Sequence, residues 1–357
     1  MIYITTFAFS CVLLKQFSKY RVVLKARDRY RIYLSLAVLA VLPPCILAGL
    51  RSPDIGADVR TYVIYGFDRA MDYTSLWELF NNHRLELFYE GLMYIVSRFT
   101  DDIHWLHFVS SLIIVYGVYS FIKTFGNKIS ISLALYTFYA LYFNQSLNTI
   151  RQWIATGIFL FSIKYMKERR LVPYILCSIC ALLFHNSAII LFLIYPMYQL
   201  TREHDISDPK VRKKERRRGI LLVICTILIS IFFEPLGRLG ISVGILPVKF
   251  LHYFTDTDGA ARLFMIVLSQ IPVLLAILFW GKKLIKYDHN NQPMIIFLII
   301  GFILQLLSPR FGYASRIATY FSVWQIVFYS EVYSYLKTRI RPIGGSDKPL
   351  QYSFILV

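Results

Sequence analysis

The most useful facts about this sequence are first its absences. In 357 residues there is no Walker loop, no dinucleotide-binding glycine fingerprint, no HExxH pair and no Ser-His-Asp order. That removes the common nucleotide-dependent and hydrolytic chemistries. Cysteine is scarce: Cys11, Cys45, Cys177, Cys180 and Cys225 all lie in apolar stretches. Cys177 and Cys180 share a helix face, but no third thiol or histidine completes a metal set. All five therefore read as small buried apolar residues, and neither a metal nor a cofactor is expected. Low-complexity linkers and solenoid-type repeats are also missing, which argues against tethered domains. Charge is sparse as well, at 17% of residues against 57% hydrophobic. A large soluble domain does not have that balance.

What the sequence does contain is a series of apolar runs near bilayer-spanning length. They predict an all-α, polytopic integral membrane protein, a single domain over residues 1–357 with roughly eleven transmembrane helices. The first run, 1–14, lacks the basic and small-residue signals of a cleaved leader. Lys15, Lys19, Arg21, Lys25, Arg27, Arg29 and Arg31 follow it. By the positive-inside rule they are cytoplasmic and the N-terminus is outside. Further spans are expected over 32–50, 104–122, 129–145, 150–166, 219–233, 263–280, 293–308 and 315–336. The run 171–200 is expected to fold back at His185 as two short spans. A single span there would put the eight basic residues between Arg202 and Arg218 outside. This topology leaves outer loops at 51–103 and 234–262, a cytoplasmic basic loop at 201–218 and a cytoplasmic C-terminus. The segment 85–100, interrupted by Glu86, Glu90 and Arg98, reads as an interfacial or re-entrant helix in the first outer loop. The excess of 39 Lys and Arg over 21 Asp and Glu then follows from orientation and anionic inner-leaflet lipids. No nucleic-acid partner is expected.

The polar residues that need explaining collect at the outer face. Arg151 lies between two apolar runs, and its guanidinium cannot shed its charge. With Asn148 and Gln152 it forms an i, i+3, i+4 set at the N-terminal end of an inward-running helix. Free backbone amides and the positive dipole end there suit an anion, and the Arg fork matches phosphate oxygens. Arg316 begins the last span in the same way, behind Ser308-Pro-Arg310. Arg51 opens the first outer loop, where Asp58 could be a catalytic base, a metal ligand or the partner of Arg51 or Arg60. Gly56 permits a tight turn beside it. Tyr62 closes the same motif. Glu86, Tyr89 and Glu90 share one helix face. Glu86 is a second candidate acid or base, although a solvated face would explain both carboxylates. His185 marks the tip of the short hairpin, as a general base or a hydrogen-bonded anchor.

Over residues 30–335 this pattern resembles the EpsG family of Wzy-like bacterial polysaccharide polymerases. The motifs that carry the resemblance are Arg51 through Gly56-Ala57-Asp58-Val59-Arg60-Thr61-Tyr62, Glu86 with Tyr89, Asn148-x-x-Arg151-Gln152-x-x-Ala155, Phe184-His185-Asn186-Ser187-Ala188, and Arg316 with Tyr320 and Phe321. Two positions depart from the family: Ala57 stands where Thr is usual, and Leu87 where Pro is usual. The resemblance implies a polymerase joining undecaprenyl-diphosphate-linked repeat units into capsular, exopolysaccharide or O-antigen chains. It would work at the outer face of the bacterial cytoplasmic membrane. Kinship with GT-C glycosyltransferases is also implied, which gives Asp58 a base or acceptor-orienting role.

On that reading Arg151 and Arg316, helped by Arg51 or Arg310, neutralise the departing diphosphate. Asp58, or else His185 or Glu86, deprotonates the acceptor hydroxyl. Asn148, Gln152, Tyr62 and Tyr89 would position the substrate. The expected partners are lipid-linked glycans and membrane lipids, with a chain-length regulator and a flippase as further candidates. Two other classes stay open: a flippase for the same lipid-linked saccharide, and a membrane O-acyltransferase using His185. A flippase would want midplane charges and an internal repeat, neither of which is evident.

Overall fold

Helices begin where the sequence supplies caps. Ser75 accepts the Glu78 amide, Asp102 that of His104 and Ser130 that of Leu133, so each satisfies a first-turn donor that the helix itself leaves open. The computed structural model describes residues 2–20, 38, 41–52, 55–56, 59–202, 209–244, 259–309 and 311–339. Every regular element among them is a helix. The chain starts with α1 (Ile2–Tyr20) and a helix α2 over 41–49. A π-helical turn, Val59–Val63, leads into α3 (Ile64–Asp72), α4 (Leu76–Asn82) and α5 (Leu87–Ser97). Then come α6 (Ile103–Lys123), α7 (Ile131–Leu141), α8 (Phe143–Asn148) and α9 (Ile150–Lys167). The second half holds α10 (Leu171–Phe184), a 3-10 turn Asn186–Ile190, α11 (Leu191–Thr201), α12 (Pro209–Ser242) and α13 (Gly259–Tyr287). It ends with α14 (Asn291–Leu307), α15 (Gly312–Ser322) and α16 (Gln325–Arg339).

Helix α9 is the centre of the bundle. It packs against α6 on one side and α10 on the other, and also meets α8, α11 and α15. Trp153, Ala155, Phe159, Leu160 and Ile163 are completely buried. The α6–α9 crossing is set by glycine. A Cβ on Gly117 would overlap the Gly157 carbonyl, and one on Gly157 would sit 3.0 Å from the Ile114 Cα. Lipid tails are as apolar as leucine, so such backbone-close packing supplies association where the hydrophobic effect does not. In contrast, α13 presents Phe264, Met265, Leu268, Leu278 and Phe279 outward, a surface suited to lipid.

The run 171–200 is two helices rather than one. It turns back at His185, and at its far end Gln199 Nε2 donates to the Met166 carbonyl at 2.7 Å. Arg202 likewise bonds the Lys167 carbonyl, so the ends of α9 and α11 lie together.

Several expected boundaries change. The span 129–145 divides at Tyr142 into α7 and α8, and 315–336 divides at Val323–Trp324 into α15 and α16. The basic loop 201–218 is not all loop. Pro209 opens α12, Lys, Arg and Glu propagate a helix well, and α12 runs on to Ser242 through the start of the expected outer loop 234–262. Helix α13 already begins at Gly259. The segment 85–100, expected to be interfacial or re-entrant, holds α5, one of three short helices, α3 to α5, packed together. Among the described residues, α6 and Leu263–Tyr287 of α13 are long and apolar enough to cross a bilayer by themselves. The count of eleven is therefore not reproduced by helix length, because breaks shorten the other apolar helices, such as Ile131–Leu141 and Leu171–Phe184.

Candidate functional site

The site is organised by a break in a helix. Thr149, at φ −104° and ψ 60°, interrupts the chain between α8 and α9 with no intervening loop. Arg151 and Gln152 thus occupy the first turn of a true helix N-terminus, whose leading amides have no intrahelical acceptor. The Arg151 Nη1 donates to Glu86 Oε2 at 2.6 Å, and its guanidinium lies 4.9 Å from the centre of the Tyr62 ring. Both members of the ion pair are largely enclosed, with side chains 16% and 12% exposed. One Nη is thereby committed, which orients the rest of the planar fork.

Gln152, nearly buried, donates from Nε2 to the Arg316 carbonyl at 2.9 Å. This bond ties the first turn of α9 to the second turn of α15: that helix already begins at Gly312, so Arg316 does not stand at its start as expected. Arg316 itself is exposed, and it forms no ion pair with the described residues. His185 lies in the turn between α10 and the 3-10 segment and is 6% exposed. Its Nδ1 accepts the Ser187 amide at 3.2 Å and meets the Ser187 hydroxyl at 2.7 Å. The Ser187 hydroxyl is in turn 3.3 Å from the Tyr320 hydroxyl. Burial, then the charges of Arg316 and Arg151, hold the imidazole far below its ordinary range, at about 3. His185 is therefore neutral, and the amide on Nδ1 leaves its proton on Nε2. Phe88 of α5 meets Phe184 of α10 edge-to-face at 5.8 Å and brings the Glu86 end of α5 over this turn.

The first loop reaches the same place. Gly56 has φ +113°, a conformation open to glycine, and a Cβ there would lie 3.2 Å from Asn148 Oδ1. The loop is thus pressed against the α8–α9 break, where Asn148 is exposed. Asp58 and Arg310 lie outside the described residues. Tyr62 is 42% exposed.

Three expectations are revised by these contacts. Arg51 is not an open phosphate ligand: it is 5% exposed, and it donates to the Leu147 carbonyl at 2.6 Å and to His107 Nδ1 at 3.2 Å. Tyr89 is completely buried and sits near enough to Arg51 to act on its charge, so it packs beneath the site rather than facing a substrate. Glu90 is not on a solvated face. It is completely buried, paired with Arg69, and accepts the Arg84 and Leu85 amides at 3.0 and 2.9 Å. Glu86 and Glu90, one turn apart, are thus divided between the site and the scaffold. His107 and the Arg69–Glu90 pair were not foreseen, because their partners lie on other elements; Ser187 entered only as a neighbour in the His185 motif, and its bond to His185 Nδ1 was not expected.

The resulting arrangement has two guanidiniums and an N–H-bearing imidazole around one helix end, with a carboxylate holding one guanidinium in place. Such a set of donors has the chemistry to hold an oxyanion next to a polar group. Among the described residues no three His, Cys, Asp or Glu side chains gather as a metal site. A surface cleft lined by Val96, Phe99, Thr100, Trp105 and Val109 contains none of these groups, so charge rather than concavity marks the site.

Comparison with known proteins agrees with this layout in extent. The amylovoran biosynthesis protein AmsC of Erwinia amylovora is 23% identical over 301 residues, covering 80% of this chain and 75% of that protein. No solved structure matches. The EpsG family profile matches residues 34–343, a range that includes α3 to α15 and all of the site described above, and the chain belongs to the EpsG family.

Proposed function

We propose that this protein is a membrane-embedded polysaccharide polymerase that joins polyprenyl-diphosphate-linked repeat units by glycosyl transfer at the outer face of the bacterial cytoplasmic membrane. The observation that carries this reading is the 2.9 Å bond from Gln152 to the Arg316 carbonyl. It couples the N-terminus of α9, which bears Arg151, to the second turn of α15, which bears Arg316, beside the neutral His185. Family membership and the named role of AmsC in amylovoran biosynthesis support the same class of reaction.

In the proposed mechanism the growing chain's sugar C1 carries a lipid diphosphate as leaving group. Arg316 and the free part of the Arg151 fork bind it, with the amides of the first turn of α9. As the C1–O bond breaks, charge builds on the diphosphate, and these fixed cations stabilise it more than they stabilise the ground state. His185 assists as a donor through Nε2–H, since its Nδ1 is occupied by the Ser187 amide. The base that removes the acceptor hydroxyl proton is then Asp58 or Glu86, not His185. Asn148 and Tyr62 line the approach, and Arg310 is a further candidate cation. Lipid tails lie between helices, so the reacting groups stay at the bilayer edge. A chain-length regulator and a flippase remain candidate partners.

The test uses purified protein in lipid nanodiscs with polyprenyl-diphosphate-linked repeat units. A ladder of products supports polymerisation. In sealed vesicles, translocation without a ladder supports a flippase, and acylated sugar supports an acyltransferase. The reading is abandoned if Arg151→Ala and Arg316→Ala both leave polymer length and yield unchanged.

A further inference from the structure

We infer that Arg51 and His107 are positioning residues that hold the α8–α9 break open and so fix the place of Arg151. In an unbroken helix the Leu147 carbonyl would accept the Arg151 amide four residues later. The break at Thr149 releases that carbonyl, and Arg51 Nη1 takes it at 2.6 Å. A guanidinium near the carbonyl end of a helix is also favoured by the helix dipole.

The second Arg51 contact supports the first. Its Nη2 lies 3.2 Å from His107 Nδ1. A guanidinium only donates, so Nδ1 accepts and the imidazole proton sits on Nε2. Arg51 is 5% exposed and His107 2%, and no carboxylate pairs with Arg51 among the described residues. Both acceptors that keep this buried charge tolerable therefore belong to the scaffold, one on α8 and one on α6. His104 ties α6 to the same end of α2 through a 2.6 Å contact with the Gly49 carbonyl. Since α6 packs on α9 through Gly117 and Gly157, Arg51 completes a ring of contacts through α2, α6, α8 and α9. The catalytic meaning of this ring rests on the polymerase reading; its structural meaning does not.

Hydrogen exchange of the protein in nanodiscs tests it. The α8 amides are held by Ser146 N to Tyr142 O at 2.8 Å and Thr149 N to Gln145 O at 3.0 Å. Arg51→Ala is expected to speed exchange across 143–149 by about tenfold or more, the effect of losing a buried charge-assisted bond. Arg51→Lys gives a smaller increase. His107→Leu also speeds exchange, whereas His107→Asn, which places an amide oxygen near the former Nδ1, restores the wild-type rate. In the polymer assay Arg51→Ala lowers kcat with little change in KM for the lipid-linked unit, whereas Arg316→Ala lowers kcat and also raises KM, as losing a direct diphosphate ligand does. A folded Arg51→Ala protein with wild-type exchange in α8 overturns the inference, and a raised KM in that protein makes Arg51 a substrate ligand. If Arg51→Ala does not fold, the His107→Leu and His107→Asn pair decides in the same way. Faster exchange in Arg51→Ala, together with a wild-type protein that makes no polymer, supports the positioning role and removes the polymerase reading.

Discussion

Arg151 of α9 and Glu86 at the start of α5 share a 2.6 Å hydrogen bond that joins segments 65 residues apart. The carboxylate orients a guanidinium that would otherwise be free to turn. Removing either partner should therefore act through the other. Arg151→Ala is expected to cut polymer yield about 10²–10³-fold, the scale of losing one fixed charge-stabilising donor. Arg151→Lys should recover little, because an ammonium keeps the charge but loses the planar fork. In a double-mutant cycle, Glu86→Ala added to Arg151→Ala should cost almost nothing further, with a coupling of roughly 1–3 kcal/mol. Additive losses would show that Glu86 has an independent role as the base.

The neutral state of His185 has a consequence for pH dependence. Its folded pKa is near 3, below the ordinary 6.5. As pH falls below 6.5 the unfolded chain takes up a proton that the folded chain refuses, so native stability declines between those two values. Above pH 7 the contribution is constant. Turnover should accordingly lack an inflection near 6.5. His185→Asn, which keeps a side-chain acceptor for the Ser187 amide but loses Nε2–H, should reduce kcat and flatten the acid stability slope. Turnover against pH, with melting temperature against pH, checks both.

Glu90 should behave as structure rather than chemistry. Leaving Arg69 and the Arg84 and Leu85 amides without their carboxylate places Glu90→Ala among broken buried pairs, with a loss of about 3–5 kcal/mol. Glu90→Gln should lose less, since its amide oxygen still accepts. Melting in detergent measures the effect, and residual activity should track the folded fraction. Loss of turnover in a fully folded Glu90→Gln protein would move this residue into the site.

Substitution at the α6–α9 crossing should be asymmetric. A methyl at Gly117 meets the Gly157 carbonyl, which cannot move without its helix, whereas a methyl at Gly157 meets the Ile114 Cα at 3.0 Å. Gly117→Ala is expected to destabilise more than Gly157→Ala, by a few kcal/mol as overpacking does. Comparing the two melting temperatures tests this.

Much of the site was legible because charge in an apolar chain is conspicuous. Asn148, Arg151 and Gln152 were marked by helical spacing and His185 by interrupting an apolar run; Arg316 was marked by its charge, but its helix begins four residues earlier, at Gly312. What could not be read was the division of labour among them. Glu86 and Glu90 have the spacing of one helix face in the sequence, but Glu86 is the extended residue that precedes α5, and tertiary contacts send it to Arg151 and Glu90 to Arg69. Arg51 looked like a phosphate ligand because its acceptors, Leu147 and His107, are distant in sequence. The breaks at Tyr142 and Val323 carry no glycine or proline, so apolar continuity hid them. Conversely, Pro196 lies inside α11 without ending it. Helix count was therefore the least legible feature, since it depends on interruptions that local sequence does not announce.

The contact of Gly117 with Gly157 also limits how the site can move. With two backbones touching, α9 has no room to slide along α6, but it can tilt about the point where they meet. Arg151 lies six residues from that pivot, about 9 Å along the helix axis. A small tilt at the crossing is thus a sideways swing of the guanidinium, at nearly constant depth in the membrane. On the proposed polymerase reading, exchange of one diphosphate for the next would have here a short lever with a fixed fulcrum.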